Sequence, residues 1–222
     1  MPFFEGARGR MHYRRWTVES PRAIVELLPG SGQHSGHYHR FARALATRDV
    51  ETWGLDIPGQ GLSEGDPRSP GTVEDVAAQA RALAELMRAA HPSLPLIVVG
   101  HSLGAATALS ARLDCAGLVL TGTPARALAA APELPVLALH GVDDRRAPID
   151  AVRQWTSRHE SVGLREYADA GHDLLHEPVH AQVTADIAEW IDGVVAEPAR
   201  RSVSRARERG TGAVTGERES AQ

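Results

Sequence analysis

The chain has 222 residues, 42% of them hydrophobic, which is enough for one sizeable α/β domain and too ordered a composition for a disordered chain. Its net charge of −4 argues against a nucleic-acid partner, and its single cysteine, Cys115, cannot close an internal disulfide, so a reducing compartment suits it. All 24 basic residues are arginine, which excludes Schiff-base chemistry and a P-loop lysine.

In chain order, "MPFFEGARGR" lacks the basic start and apolar run of a secretion signal. No apolar run approaches the about 20 residues of a membrane span. A cytoplasmic protein without stable membrane insertion is expected. "RMHYRRWTV" (10–18) alternates and reads as an early edge strand. "AIVELLP" (23–29) is a second strand, ending in the glycine-rich turn "GSGQHSGHY". Residues 37–48 carry Phe41, Ala44 and Leu45 at helical spacing. "VETWGLD" (50–56) is a strand, followed by the long loop "IPGQGLSEGDPRSPG". Thr72 and Asp75 form a capping-box pair that opens a helix reaching about Ala90.

"LPLIVVG" (94–100) is continuously apolar, as a strand covered on both faces should be. A helix over 103–113 follows. Strands are expected at 116–122, 134–141 and 162–169, and helices at 148–158 and 178–195. Strands alternating with helices predict a mostly parallel sheet in a single domain, residues 1–196. Residues 197–222 have almost no large apolar side chains and no period, and are expected to form a disordered tail.

The joint between the 94–100 strand and its helix reads "VVGHSLGAA". A sharp strand-to-helix turn there puts the Ser102 hydroxyl at its tip. Small residues on either side, Gly100 and Gly104, let strand and helix approach, making the turn a nucleophile elbow. The Leu103 N–H then points toward an incoming oxygen. Serine needs a base, and the base needs an orienting acid; in such turns they follow in the order Ser, Asp or Glu, His. The strand at 134–141 ends in the pair Asp143 and Asp144, and the strand at 162–169 leads to "ADAGHDLLHE" with His172 after a glycine. Asp144 is preferred over Asp143 because the loop follows a G-x-x-D pattern with an arginine after it. Rival histidines fit less well: His140 belongs to a strand end, and His176 and His180 fall at or within the last helix. Asp173, next to His172, would point away from its ring. The Ser31 N–H is the choice for a second oxyanion donor. His34, His37 and His39 do not read as a metal site, since a helix turns them to different faces and no carboxylate or cysteine lies close by in sequence.

These motifs resemble the α/β-hydrolases, and among them the monoacylglycerol lipase and lysophospholipase-like group, over roughly residues 10–195. "GSGQHSGHY" is similar to that group's G-x-G-E-H-S-x-R-Y loop, "DIPGQGLSEG" to its D-x-x-G-H-G-x-S-x-G loop, and "GHDLLHEP" to its H-x-L-L-N-E-P. The resemblance implies the α/β-hydrolase fold and, by position, Ser102 as nucleophile, Asp144 as acid, His172 as base, and the Ser31 and Leu103 N–H groups as the oxyanion hole. No metal or organic cofactor is implied, and the substrate is a small-molecule ester. Three departures stand out. Pro29 and Gln60 occupy positions where that group has histidine. The helical cap inserted after the strand at 116–122 is reduced here to "ARALAAAPE" (125–133). A minimal, capless carboxylic ester hydrolase is therefore expected. An acyltransferase or thioesterase with the same triad, or a binding protein of this fold, are the alternatives.

Overall fold

The computed structural model describes residues 2–129 and 131–196. The tail expected at 197–222 lies outside the described residues. Eight strands form one sheet: β1 (Phe3–Gly6), β2 (Gly9–Trp16), β3 (Ala23–Leu28), β4 (Val50–Leu55), β5 (Leu96–His101), β6 (Gly117–Thr121), β7 (Val136–Gly141) and β8 (Val162–Tyr167), in the order β1-β2-β4-β3-β5-β6-β7-β8. β3 to β8 run parallel to one another, and β2 pairs antiparallel with both β1 and β4. Five helices, α1 (His39–Ala46), α2 (Val73–Ala90), α3 (Leu103–Ala111), α4 (Ile149–Thr156) and α5 (His180–Ala196), cover the two faces.

The apolar strands explain the layering. Along β3, Ile24 and Leu28 face the core under α2, α3 and α4, while Val25 and Leu27 face the core under α1 and α5. β5 alternates likewise, with Leu96 and Val98 on one side and Ile97 and Val99 on the other. Strands buried on both faces have no polar side to show, which is why they read as continuous runs. Thr72 and Asp75 close the reciprocal capping box that starts α2.

Most boundaries shift by one or two residues from the sequence expectation, and three differences have a structural consequence. The edge strand is β1, which pairs Phe3–Gly6 with Gly9–His12, so β2 is interior. α3 stops at Ala111 because Arg112 takes the left-handed conformation, φ 47° and ψ 45°. The last helix starts at His180 rather than 178. None of the described helices is long and apolar enough to cross a membrane.

β3 has β4 on one side and β5 on the other, so chain direction across the sheet reverses between β3 and β5. Loops leaving the carboxyl ends of strands at such a point diverge and leave a crevice. The loops after β3 and β5 are those carrying Gly30–Ser31 and Ser102.

One core residue contradicts its surroundings. Glu26 lies fully buried on β3, on the same side as Ile24 and Leu28, and neither carboxyl oxygen has a hydrogen-bond partner. Burial pushes its carboxyl well above the ordinary range, and the charge of Arg88 only partly offsets this. The folded protein therefore keeps Glu26 protonated while the unfolded chain ionises it near pH ~4.3. Stability from this group is full below that pH and falls as pH rises toward the folded-state value. Glu26→Leu should remove the slope. In urea unfolding, the variant should gain on the wild type between pH 5 and pH 8, ending about 1–3 kcal/mol more stable. A difference that is flat or shrinks with pH would contradict the burial of an uncharged acid.

Candidate active site

β5 enters a turn at Ser102 and α3 leaves it one residue later. Ser102 adopts φ 53° and ψ −108°, a strained conformation for a residue with a side chain. Its N–H donates to the Thr121 carbonyl on β6 at 2.9 Å, and its carbonyl accepts the Ala106 N–H at 3.1 Å. The strain is held from both ends. The flanking glycines are required sterically: a Cβ on Gly104 would sit 1.9 Å from the Leu28 carbonyl oxygen, and one on Gly100 would sit 2.4 Å from the Gly104 carbonyl oxygen.

The hydroxyl so presented meets His172. Ser102 Oγ is 2.9 Å from His172 Nε2, and His172 Nδ1 is 2.7 Å from Asp144 Oδ2. Asp144 Oδ1 accepts the N–H groups of Arg146 and Ala147 at 2.8 and 2.9 Å. Burial alone would raise the Asp144 carboxyl, but the Ala147 N–H, the His172 ring and the Arg146 N–H outweigh it and hold the group below its ordinary value. An ionised carboxylate only accepts, so the Nδ1–H of His172 donates to it and Nε2 is left to accept the serine proton. Gly122 makes room for the ring: with φ 56°, a Cβ there would lie 3.0 Å from the imidazole. His140 is packed beneath, its Nε2 donating to the Ala147 carbonyl at 2.7 Å and lying 3.2 Å from Asp144 Oδ2.

The structure thus brings Ser102, His172 and Asp144 into one hydrogen-bonded line. It leaves Asp143 exposed beside them. Asp173 points away from the His172 ring, as its neighbours require: it accepts from His176 Nδ1 at 2.7 Å and from Gln33 Nε2 at 2.8 Å. Ser31 lines the cleft that holds Ser102, and Leu103 is the first residue of α3. Among the described residues neither of their N–H groups has a hydrogen-bond partner, so both are free for an incoming oxygen. Pro29 is buried, and Gln60 turns its amide to the Pro67 carbonyl rather than into the cleft. Of the three early histidines two meet and one turns away: His34 caps the 3₁₀ turn Ser35–Tyr38, the His37 ring lies tilted against it at 4.0 Å between centroids, and His39 accepts from the Trp16 indole. Among the described residues no cluster of three His, Cys, Asp or Glu side chains could hold a metal ion.

Two supports lie within the quoted motifs, but their partners do not show in the sequence. Gln33 fastens the loop after β3 to the histidine loop: its Oε1 accepts from the Gly30 N–H and the Tyr38 hydroxyl while its Nε2 donates to Asp173. Asp56 fastens the same loop to the one after β4, accepting from the Ser35 and Leu62 N–H groups and pairing with buried His12. Burial pushes the His101 imidazole behind Ser102 down to about 4, so it stays neutral near pH 7.

The cleft around Ser102 has a volume of about 450 Å³. Apart from Pro124 and Ala147, its walls are glycine and polar or charged side chains. Residues 62–71 do not line it, so that loop provides no roof among the described residues.

Comparison with known proteins finds relatives in sequence and in fold. The family described as serine aminopeptidase, S33 (Hydrolase_4) matches residues 19–126. The chain is 26% identical over 266 residues to a monoacylglycerol lipase of Mycolicibacterium smegmatis, covering 85% of this chain and 95% of the relative. Those aligned positions outnumber the 222 residues here, so the relative carries residues with none opposite them in this chain. Human monoglyceride lipase is 29% identical over 111 residues, 49% of this chain and 37% of its own length, so the chain matches well under half of that relative. In structure, a soluble variant of monoglyceride lipase from Saccharomyces cerevisiae superposes with a TM-score of 0.75 at 16% identity, over 87% of this chain and 94% of the other. The monoacylglycerol lipase of Paleococcus ferrophilus gives 0.70 at 18%, over 84% and 98%. The fold is the α/β-hydrolase fold. Within it, the sequence resembles the monoacylglycerol lipase-like group.

Proposed function

We propose that this protein is a serine hydrolase that cleaves carboxylic esters through an acyl-serine intermediate. The observation that carries the reading is the unbroken line from Asp144 through His172 to Ser102, at 2.7 and 2.9 Å. In this mechanism His172 Nε2 takes the Ser102 proton as Oγ attacks the ester carbonyl. The imidazolium that forms is stabilised by Asp144 and returns the proton to the leaving alcohol. A water activated by the same ring then cleaves the acyl-serine. The Ser31 and Leu103 N–H groups receive the negative oxygen of each tetrahedral intermediate; losing one such donor costs about 3–4 kcal/mol of barrier. The monoglyceride lipase names of the relatives support an ester as substrate.

Ser102→Ala should abolish ester hydrolysis with Tm unchanged within about 2 °C, since alanine fits the turn and relieves no packing. Asp144→Asn should lower kcat by about 10³–10⁴, because the amide favours the wrong imidazole tautomer, whereas Asp143→Asn should stay within a few-fold of wild type. Equal losses at the two aspartates, or residual turnover in Ser102→Ala above a few per cent, would overturn the assignment.

The cleft also sets an expectation for chain length. A methylene adds about fourfold to kcat/KM only if it is buried. With Pro124 and Ala147 as the apolar walls, gains should stop after the first few carbons. A larger hollow of about 990 Å³ beside α3 shares only Arg126 with the cleft. An ester series from acetyl to palmitoyl, assayed below and above micelle formation, should show kcat/KM rising and then levelling, with no jump at the interface. A preference for chains of about twelve carbons or more would mean that the acyl chain reaches buried apolar surface the cleft does not offer.

A further inference from the structure

The walls of the cleft carry two guanidinium groups that nothing in the proposed mechanism uses. Arg126 stands in the short 3₁₀ turn Ala125–Ala127 after β6, and Arg146 stands in the loop after β7. β6 and β7 are neighbours, so both arginines come from adjacent loops on one flank of Ser102, away from the β3 loop that offers the Ser31 N–H. Their backbones are anchored. The Arg146 N–H donates to Asp144 Oδ1, and the Ala127 N–H to the Pro124 carbonyl. Their side chains are exposed, and among the described residues neither pairs with a carboxylate. Many arginines elsewhere are paired, for example Arg15 with Glu51, Arg153 with Glu166 and Arg165 with Asp186, while among the described residues Arg14, Arg40, Arg43, Arg112, Arg145 and Arg158 also pair with no carboxylate; what sets Arg126 and Arg146 apart is that both line the Ser102 cleft.

The acidic side chains of the same cleft are already engaged. Glu177 accepts the Gly171 and Asp173 N–H groups at 2.6 and 2.8 Å. Asp173 is shared between His176 and Gln33, and its hydrogen bond raises the His176 pKa above the ordinary imidazole value. The chain's net charge of −4 draws no anion to the surface at large, so the two arginines are a local feature. An aliphatic ester arm would gain little from walls this polar. A carboxylate arm would gain a forked, charge-assisted contact.

Resting on the hydrolase reading above, we infer that the preferred substrates are small esters carrying an anionic group on one arm, held by Arg126 and Arg146 at the mouth of the Ser102 cleft.

The test compares size-matched esters: ethyl butyrate with monoethyl succinate, which is charged on the acyl arm, and ethyl acetate with O-acetylglycolate, which is charged on the alcohol arm. One charged ester should exceed its neutral partner in kcat/KM by at least about five-fold at low salt, the scale of one part-exposed ion pair. Which pair shows it identifies the arm. The ratio should collapse toward one in the Arg126→Ala/Arg146→Ala double variant and near 1 M salt, where the screening length falls to about 3 Å. Charged esters that do no better than neutral ones, or a ratio that survives the double variant, would overturn the inference while leaving ester hydrolysis intact. If no ester is turned over, the hydrolase reading fails, and the anion contact is then read without chemistry. Monoethyl succinate should still shift amide resonances of Ser102→Ala saturably, and should lose that effect when both arginines are also alanine. Absence of saturable shifts would overturn it.

Discussion

A Cβ on Gly104 would meet the Leu28 carbonyl oxygen at 1.9 Å, and the whole site depends on that atom being absent. Only with glycine there can α3 start directly against the end of β3. The turn between β5 and α3 is then forced tight enough to place Ser102 at φ 53°. The strain is offset by core packing: β5 is buried on both faces, and Ala105 and Ala108 of α3 press on the cluster that holds Ile24, Leu28 and Val98. The same closeness fixes the positive end of α3 beside the loop after β3. The two N–H groups free to receive an oxygen come from these two elements, which meet where the chain reverses direction across the sheet. Topology supplies the crevice, and the glycine pair sets how close its walls stand.

What the sequence reveals follows from where the information lies. β3, β5, β6 and β7 are legible because burial on both faces demands largely apolar runs, whereas the edge strand β8 shows only a mixed pattern, VGLREY. The capping box of α2 is legible because its partners are three residues apart. β1 was hidden by its brevity and by its half-exposed phenylalanines, which give neither a run nor a clean alternation. The end of α3 was hidden because a left-handed arginine carries no glycine signal. At the site, local motifs lead to Ser102 and His172, but the pair Asp143 and Asp144 is ambiguous in one dimension. Adjacent residues at a strand end point apart; the G-x-x-D pattern favours Asp144, and the fold turns that residue to the imidazole. The Gln33–Asp173 bond joins residues 140 apart, so no local pattern announces it.

That bond also bears on a substitution within the motif. The related group has glutamate where this chain has Gln33, and a glutamate here would oppose Asp173 at 2.8 Å. The amide instead donates to Asp173 and accepts from Gly30 and Tyr38, so loop and histidine turn are held by one side chain. The shortened segment between β6 and β7 has a similar logic. It gives up apolar enclosure and brings Arg126 to the rim.

In the proposed mechanism the strained turn holds Ser102 against His172, which activates it as a nucleophile. The most direct measurement is labelling with a fluorophosphonate, followed by peptide mapping by mass spectrometry. A single phosphonylated site is expected at Ser102, with labelling slowed at least about a thousandfold in His172→Gln, where no ring remains to accept the proton. An unlabelled protein, a label on another serine, or equal labelling rates in the two proteins would contradict it.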